Sequence, residues 1–295
     1  MHTATYYIDL LLSGITVGSL YALIAIGYTM VYGILRLINF AHGDIFMMAG
    51  FFMVYISASM PMTIAIPVVL VLTVILGVGI ERCAYKPLRS APRMSVMISA
   101  IGVSYLLQNL ATYITGGLAR AYPEISFLKG TFMVGALKVK VITVVTPVLT
   151  ILLVIALVMF INHTKTGMAM RAVSKDFDTA RLMGIKVNSV ITVTFVIGSF
   201  LAGVGSILYF TNYGQVSPTI GAMPGLKAFV AAVFGGIGSI PGAVLGAYII
   251  GICESLIKAN DSIAIFSNAF TFALLILVLL FKPNGMFGEK LTEKV

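Results

Sequence analysis

"YIDLLLSGITVGSLYALIAIGYTMV", Tyr7 to Val31, decides the class of fold. It carries one acid, Asp9, and no base. A helix satisfies its own backbone hydrogen bonds and can therefore face lipid, and about 20 apolar residues suffice to cross the hydrocarbon. Gly14, Gly18, Ser19, Ala22 and Ala25 recur at three- and four-residue spacing. Small residues so placed let membrane helices approach closely. Comparable runs follow outward along the chain: Ile45 to Ala58, Pro61 to Ile80, Met94 to Thr115, Val141 to Ile161, Val190 to Phe210 and Ile263 to Phe281. The 295 residues are 59% hydrophobic and 10% charged, where a soluble domain would carry about 25% charged residues. The pattern predicts an all-α, polytopic transmembrane helical bundle of eight or nine membrane segments, some short or broken, in one domain over residues 1–295.

The glycine-rich stretch Leu226 to Lys258, "LKAFVAAVFGGIGSIPGAVLGAYIIGICESLIK", departs from the simple runs. Its apolar part before Gly235 is too short for a crossing. A short or broken helix is expected there, followed by a full span from Pro241 to about Ile257. Glycine-interrupted segments near both ends of the chain are compatible with an inverted repeat.

The formal net charge of +9 fits a membrane protein whose Lys and Arg collect in cytoplasmic loops. A basic stripe or aromatic platform for nucleic acid is missing, so no nucleic-acid partner is expected. The loops at 81–93 and 162–189 are basic and fall on one side when crossings alternate. The loop at 116–140 carries four basic residues as well, although alternation makes it external. The first span has no preceding base or cleavage signature and is expected to serve as its own insertion signal. Cys83 and Cys253 lie far apart, which supports neither a disulfide framework nor a zinc site. The tail from Lys282 is expected in the cytoplasm.

Between the first two runs lies "RLINFAHGDIFMMAG", Arg36 to Gly50. Three readings stand side by side. Asn39 or Asp44 caps a helix that starts at the membrane edge. Alternatively, Gly43 permits a break inside a membrane helix facing a solute cavity. Or His42 and Asp44 form a metal or acid–base pair, although no third ligand or nucleophile is near in sequence.

The longest polar stretch holds "VSKDFDTARLMGIKV". Ser174 is expected to cap a helix from Lys175 to Met183. Asp176 and Asp178 would favour its positive end, Arg181 its last turn, and Gly184 the position just past its end. Phe177, Ala180 and Met183 or Gly184 would share one face. "GMAMRAV" before it, with Arg171, suits another short helical piece. Such an element is a connector, an interfacial anchor, or a docking knob with Phe177 and Leu182 as anchors. The sequence holds no GxxxxGK[ST], HExxH or GxSxG motif. The spans also lack the paired carboxylates of an ion relay, so uphill transport would need energy from another subunit. A self-sufficient carrier or channel is the competing reading.

Three stretches together carry a resemblance: "GITVGSLYALIAIGYTMVYGILRLINFAHGDIFMMAGF", "TKTGMAMRAVSKDFDTARLMGIKVN" and "LKAFVAAVFGGIGSIPGAVLGAYIIGICE". Each resembles a signature of the LivH-type permeases of branched-chain amino acid ABC importers, in the same order and along nearly the whole chain. The resemblance implies a permease subunit, not an enzyme, in a bacterial inner membrane. It implies a second related permease, two ATP-hydrolysing subunits and a periplasmic solute-binding protein as partners. This chain would bind no cofactor, with ATP and magnesium held by the ATPase subunits. It implies Leu, Ile and Val as solutes, with urea or short amides as the alternative within the family. Arg171, Asp176, Phe177, Asp178, Arg181, Leu182 and Gly184 would form the ATPase-coupling segment. Asn39, His42, Gly43 and Asp44 would form a signature turn near the pathway.

Overall fold

The computed structural model describes residues 2–89, 91–134, 137–282 and 285–287. Its order is α1 (His2–Leu35), α2 (His42–Ser57), α3 (Met62–Ile80), α4 (Arg93–Thr115), α5 (Val141–His163), α6 (Lys165–Lys175), α7 (Phe177–Leu182), α8 (Val187–Tyr213), α9 (Ala222–Gly235), α10 (Ile240–Lys258) and α11 (Ser267–Phe281). Among the described residues, seven helices are long and apolar enough to cross a membrane, and α2 and α9 are shorter apolar helices. The helical bundle and its short segments match the sequence reading. The strands do not appear in that reading. A hairpin pairs Thr131–Val134 (β2) with Leu137–Lys140 (β3), and Arg120–Ala121 (β1) pairs with Gln215–Val216 (β4).

Long-range hydrogen bonds sort the helix ends into two groups. At one end Arg36 reaches Ser174, and Arg89 bridges Glu81 and Asn188. At the other end Tyr6 donates to the Ala259 carbonyl at 3.2 Å, and β1 joins β4. Tyr122 anchors this second end, with its ring 5.7 Å from that of Phe210. Burial holds its phenol above the usual range. The first end gathers the basic stretches at 82–93 and 165–186, so the charge rule makes it cytoplasmic. The start of α1 then lies at the outer end. The external assignment of 116–140 agrees with β1–β4 pairing there, despite its basic residues. Of the tail, Met286 and Phe287 donate to the carbonyls of Phe234 and Gly235 at the cytoplasmic end. The remainder from Gly288 lies outside the described residues.

Helices α1, α2 and α8 occupy the centre, where most of their side chains are buried. The small-residue face read from α1 packs on α10. A Cβ on Gly251 would come within 2.3 Å of the Gly18 backbone nitrogen, so these two helices meet backbone to backbone. Van der Waals contact of this kind is the main attraction open to helices in lipid. The more exposed α4, α5 and α11 flank this centre, as the low buried share of their apolar windows shows.

Candidate functional site

The turn after α1 does not stay at the membrane edge. A Cβ on Gly27 would strike the His42 ring, and Gly198 lies against the same ring. Gly27 is eight residues from the end of α1 and Gly198 is eleven from the start of α8. At 1.5 Å per residue this places His42 about 12–16 Å inside, near the middle of a core about 30 Å thick. Residues 36–41 therefore climb back into the bundle, and α2 begins at half depth. The chain is broken inside the membrane, as one reading expected, but at residues 36–41, where Arg36 has φ +55°, and not at Gly43, which lies within α2 and is needed there for close packing instead.

Helix α9 begins at the same level. A Cβ on Gly43 would come within 2.7 Å of the Gly221 carbonyl and 3.3 Å of the Gly225 Cα. A side chain at 43 would push these backbones apart. From this crossing α2 runs to the outer end, where Gly50 meets Phe210 and Val216. Helix α9 runs the other way, and its last residue, Gly235, packs on Gly242 at the start of α10. Two half-helices thus leave one point in opposite directions with their N-termini adjacent. Those termini carry partial positive charge at a depth where water is scarce. Such an arrangement can face a polar solute, and backbone that is not helical is tolerated at membrane depth only inside protein or beside a cavity.

The side chains of the signature turn have roles other than those read from sequence. Asp44 does not cap α2. The capping position is Ala41, whose carbonyl accepts from the Asp44 and Ile45 amides at 3.1 and 3.0 Å. The Asp44 carboxylate turns sideways to α4, accepting from the Ser104 hydroxyl and from Gln108 Nε2 at 3.0 Å. Two neutral donors compensate its burial at this depth. Asn39 does not cap either, because its Oδ1 accepts from the Tyr85 hydroxyl at 2.8 Å. His42 lies edge-on to Tyr28, ring centroids 5.0 Å apart. Among the described residues no three His, Cys, Asp or Glu side chains group as metal ligands. His42 packs on the α1 side while Asp44 faces α4, so the structure does not bring them together as a pair.

At the cytoplasmic end, "GMAMRAV" is helical as expected, within α6, capped by Thr164 Oγ1, which accepts from the Gly167 amide at 3.0 Å. The helix expected from Lys175 to Met183 is shorter, and Ser174 is not its cap. The Ser174 hydroxyl donates to the Arg171 carbonyl within α6. Asp176 is the cap instead, its Oδ1 accepting from the amides of Asp178 and Thr179, both at 2.9 Å. Its extended backbone breaks the chain between α6 and α7. Gly184 sits where expected, past the end of α7 with φ +79°. The Ile185 amide bonds to the Ala180 carbonyl and the Gly184 amide to that of Arg181, the paired bonds of a glycine-terminated helix.

The shared face predicted for Phe177, Ala180 and Met183 does not survive. Phe177 is half-buried and Ala180 buried against the bundle. Leu182 and Met183 are 88% and 78% exposed. A six-residue helix makes under two turns, so its inner face is used up by Phe177 and Ala180. Asp178 and Arg181 flank the exposed pair in solvent, and Arg171 reaches back to Asn162 at the end of α5. Beside this region, Glu81, Arg82, Lys86, Asn188, Ser189 and Thr192 line an open cleft of about 430 Å³.

One buried group escaped sequence reasoning. Lys227, on α9, pairs with Glu254 of α10 at 2.6 Å. Glu254 also holds Lys258 at 2.6 Å and accepts from the Tyr21 hydroxyl of α1 at 2.8 Å. Lys227 is flanked by apolar residues in a run too short to span. A lone base in such a run was the available signal, since a charge at that depth requires a partner.

Comparison with known proteins gives concordant results. Residues 10–279 match the family model described as the permease component of branched-chain amino acid transport systems. The chain is 43% identical to the high-affinity branched-chain amino acid transport system permease protein LivH of Escherichia coli K12, covering 98% of both chains. It is 42% identical to LivH of Salmonella typhimurium and 40% identical to BraD of Pseudomonas aeruginosa, again over 98% of each. No solved structure matches.

Proposed function

This chain belongs to the family of branched-chain amino acid transport permeases, and from that premise we propose that it is the permease subunit of an importer for leucine, isoleucine and valine. The observation that carries the reading is 43% identity over 98% of the chain to a permease named for these solutes. The protein is a multi-pass membrane protein of a transport family. Its energy would come from ATP hydrolysed on separate subunits, consistent with the missing phosphate-loop motif. Its place would be a bacterial inner membrane, beside a second related permease, two ATPase subunits and a periplasmic binding protein.

Two parts of the structure would serve this function. The half-depth crossing of Asn39, His42, Gly43 and Asp44 with residues 221–225 would lie on the solute pathway. The α6–α7 elbow would be the ATPase-coupling segment. Arg171 fixes it to α5, Asp176 sets its bend and Gly184 ends it. Phe177 seats it on the bundle, and Leu182 and Met183, rimmed by Asp178 and Arg181, would be the docking anchors. Two apolar side chains this exposed at the cytoplasmic end suit burial in a partner's pocket.

The test is uptake of labelled leucine, isoleucine and valine by membrane vesicles holding this chain with its co-expressed partners. Uptake should require ATP and the binding protein. Uptake that survives ATP depletion but collapses with the ion gradient would make the chain a self-sufficient carrier and overturn the reading. Replacing Leu182 and Met183 with Asp should remove the ATPase subunits from the purified complex while leaving the chain in the membrane.

A further inference from the structure

We infer that Arg36 is a positioning residue that transmits movement of the α6–α7 elbow into the half-depth crossing. The inference rests on the proposed role of that elbow as the ATPase-coupling segment. Arg36 follows the last residue of α1 and has φ +55°, the one non-glycine residue with positive φ among the described residues. A residue with a Cβ seldom adopts this conformation. Here it turns the chain back toward the bundle.

The side chain spans two elements that are far apart in sequence. Arg36 Nη2 donates to the Ser174 carbonyl at 3.2 Å. Ser174 is next to the last residue of α6. The Asp176 amide closes back on Ala172, and α6 then ends, so the carbonyls of its last turn lack intrahelical donors. They carry the negative end of the helix dipole, and a guanidinium that is always charged meets them as a charge-assisted cap. The bond therefore joins a fixed cation to the end of a helix whose neighbour, α7, shares the Asp176 residue as its own cap.

From Arg36 the path inward is short. Five residues separate it from His42, the first residue of α2. Asn39, in the middle of them, is buried and held by Tyr85. The next residue after His42 is Gly43, whose backbone touches Gly221 and Gly225. A displacement of α6 thus reaches the crossing through one hydrogen bond and one short, pinned segment. Beside the apolar seating of Met170 and Val173, a second polar tie of α6, from Arg171 to Asn162, is longer, at 3.4–3.5 Å, and exposed. It leads to α5, a largely exposed helix at the flank of the bundle.

The experiment uses the complete complex in vesicles, measuring ATP hydrolysis and leucine uptake together. Asparagine tolerates positive φ but cannot reach Ser174, so Arg36→Asn separates the backbone from the bond. Transport per ATP hydrolysed should fall by roughly tenfold, the size expected from losing one charge-assisted hydrogen bond, with ATPase activity retained. Arg36→Lys keeps a cation within reach and should give an intermediate loss. It also serves as the readout should the Asn variant fail to assemble. Arg171→Ala should change the ratio less than either. An unchanged ratio in Arg36→Asn, or in Arg36→Lys where only that variant is recovered, overturns the inference. Uptake by the unmodified complex that does not depend on ATP would instead overturn the functional reading on which it rests.

Discussion

The two half-helices α2 and α9 start at the same depth, yet they are held in different ways. Helix α2 and the segment leading into it are held by polar side chains to three separate neighbours: Asp44 to α4, Asn39 to Tyr85 in the turn that follows α3, and Arg36 to α6. Helix α9 meets α2 at Gly43 and is clamped to α10 by backbone contact through Gly235, Gly242 and Gly246 and by the Lys227–Glu254 pair. Hydrogen bonds between neutral or singly charged groups can exchange partners at modest cost. Backbone-to-backbone packing and a buried ion pair have no such alternatives. Under the proposed coupling role, α9–α10 would be the fixed wall and α2 the part that follows the elbow.

Breaking the wall should have the largest effect. Glu254→Gln leaves the Lys227 ammonium buried with no opposite charge, and Lys227 is only 6% exposed at its side chain. The expected loss is about 3–5 kcal/mol, seen as a large drop in thermal stability of the detergent-purified protein. A double variant, Glu254→Leu with Lys227→Met, should recover part of it, because removing both charges removes the desolvation penalty while the buried Tyr21 hydroxyl loses its acceptor. Next is Gly246→Ala. Its added methyl would lie 2.3 Å from the Ala231 carbonyl oxygen, and forcing α9 from α10 should cost about 1–3 kcal/mol by the same measurement.

On the α2 side, Asp44→Ala should cost about 1–3 kcal/mol, since Ser104 and Gln108 lose their acceptor inside the bundle. If α2 is the mobile half, this variant should impair transport more than its stability loss predicts, whereas Gly246→Ala should scale the two together. Equal behaviour of the two variants would erase the distinction between wall and follower. The smallest effect is expected from Gly184→Ala, which places a Cβ at φ +79° and should cost about 1 kcal/mol. Amide exchange should show it as faster opening of α7 alone.

Much of this was legible in the sequence. Apolar runs of spanning length, the small-residue face of α1 and the glycine-rich pair near residue 235 announced the bundle and its short segments, because the bilayer allows few alternatives to the helix. The positive φ at Gly184 and the gathering of the basic stretches at 81–93 and 162–189 at one end of the bundle followed from residue type. Ser174 is displaced as a cap by a local competitor, Asp176, while its own hydroxyl turns back to Arg171. Asn39 and Asp44 fail as caps for another reason, since a cap is chosen among near neighbours in sequence. Asn39 and Asp44 found partners 46 and 60 or more positions away. Lys227 passed unnoticed because its partner lies 27 residues on.

The sequence by itself determined that this chain lives in a membrane as a helical bundle and which segments could not cross it. Those properties depend on hydrophobicity and backbone hydrogen bonding summed over contiguous residues. Only the tertiary structure decided that "RLINFAHGD" climbs to half depth, that Gly43 meets Gly221 and that Arg36 grips the end of α6. Each depends on a contact between distant segments, and the energy that selects one partner over another appears only when the helices are packed.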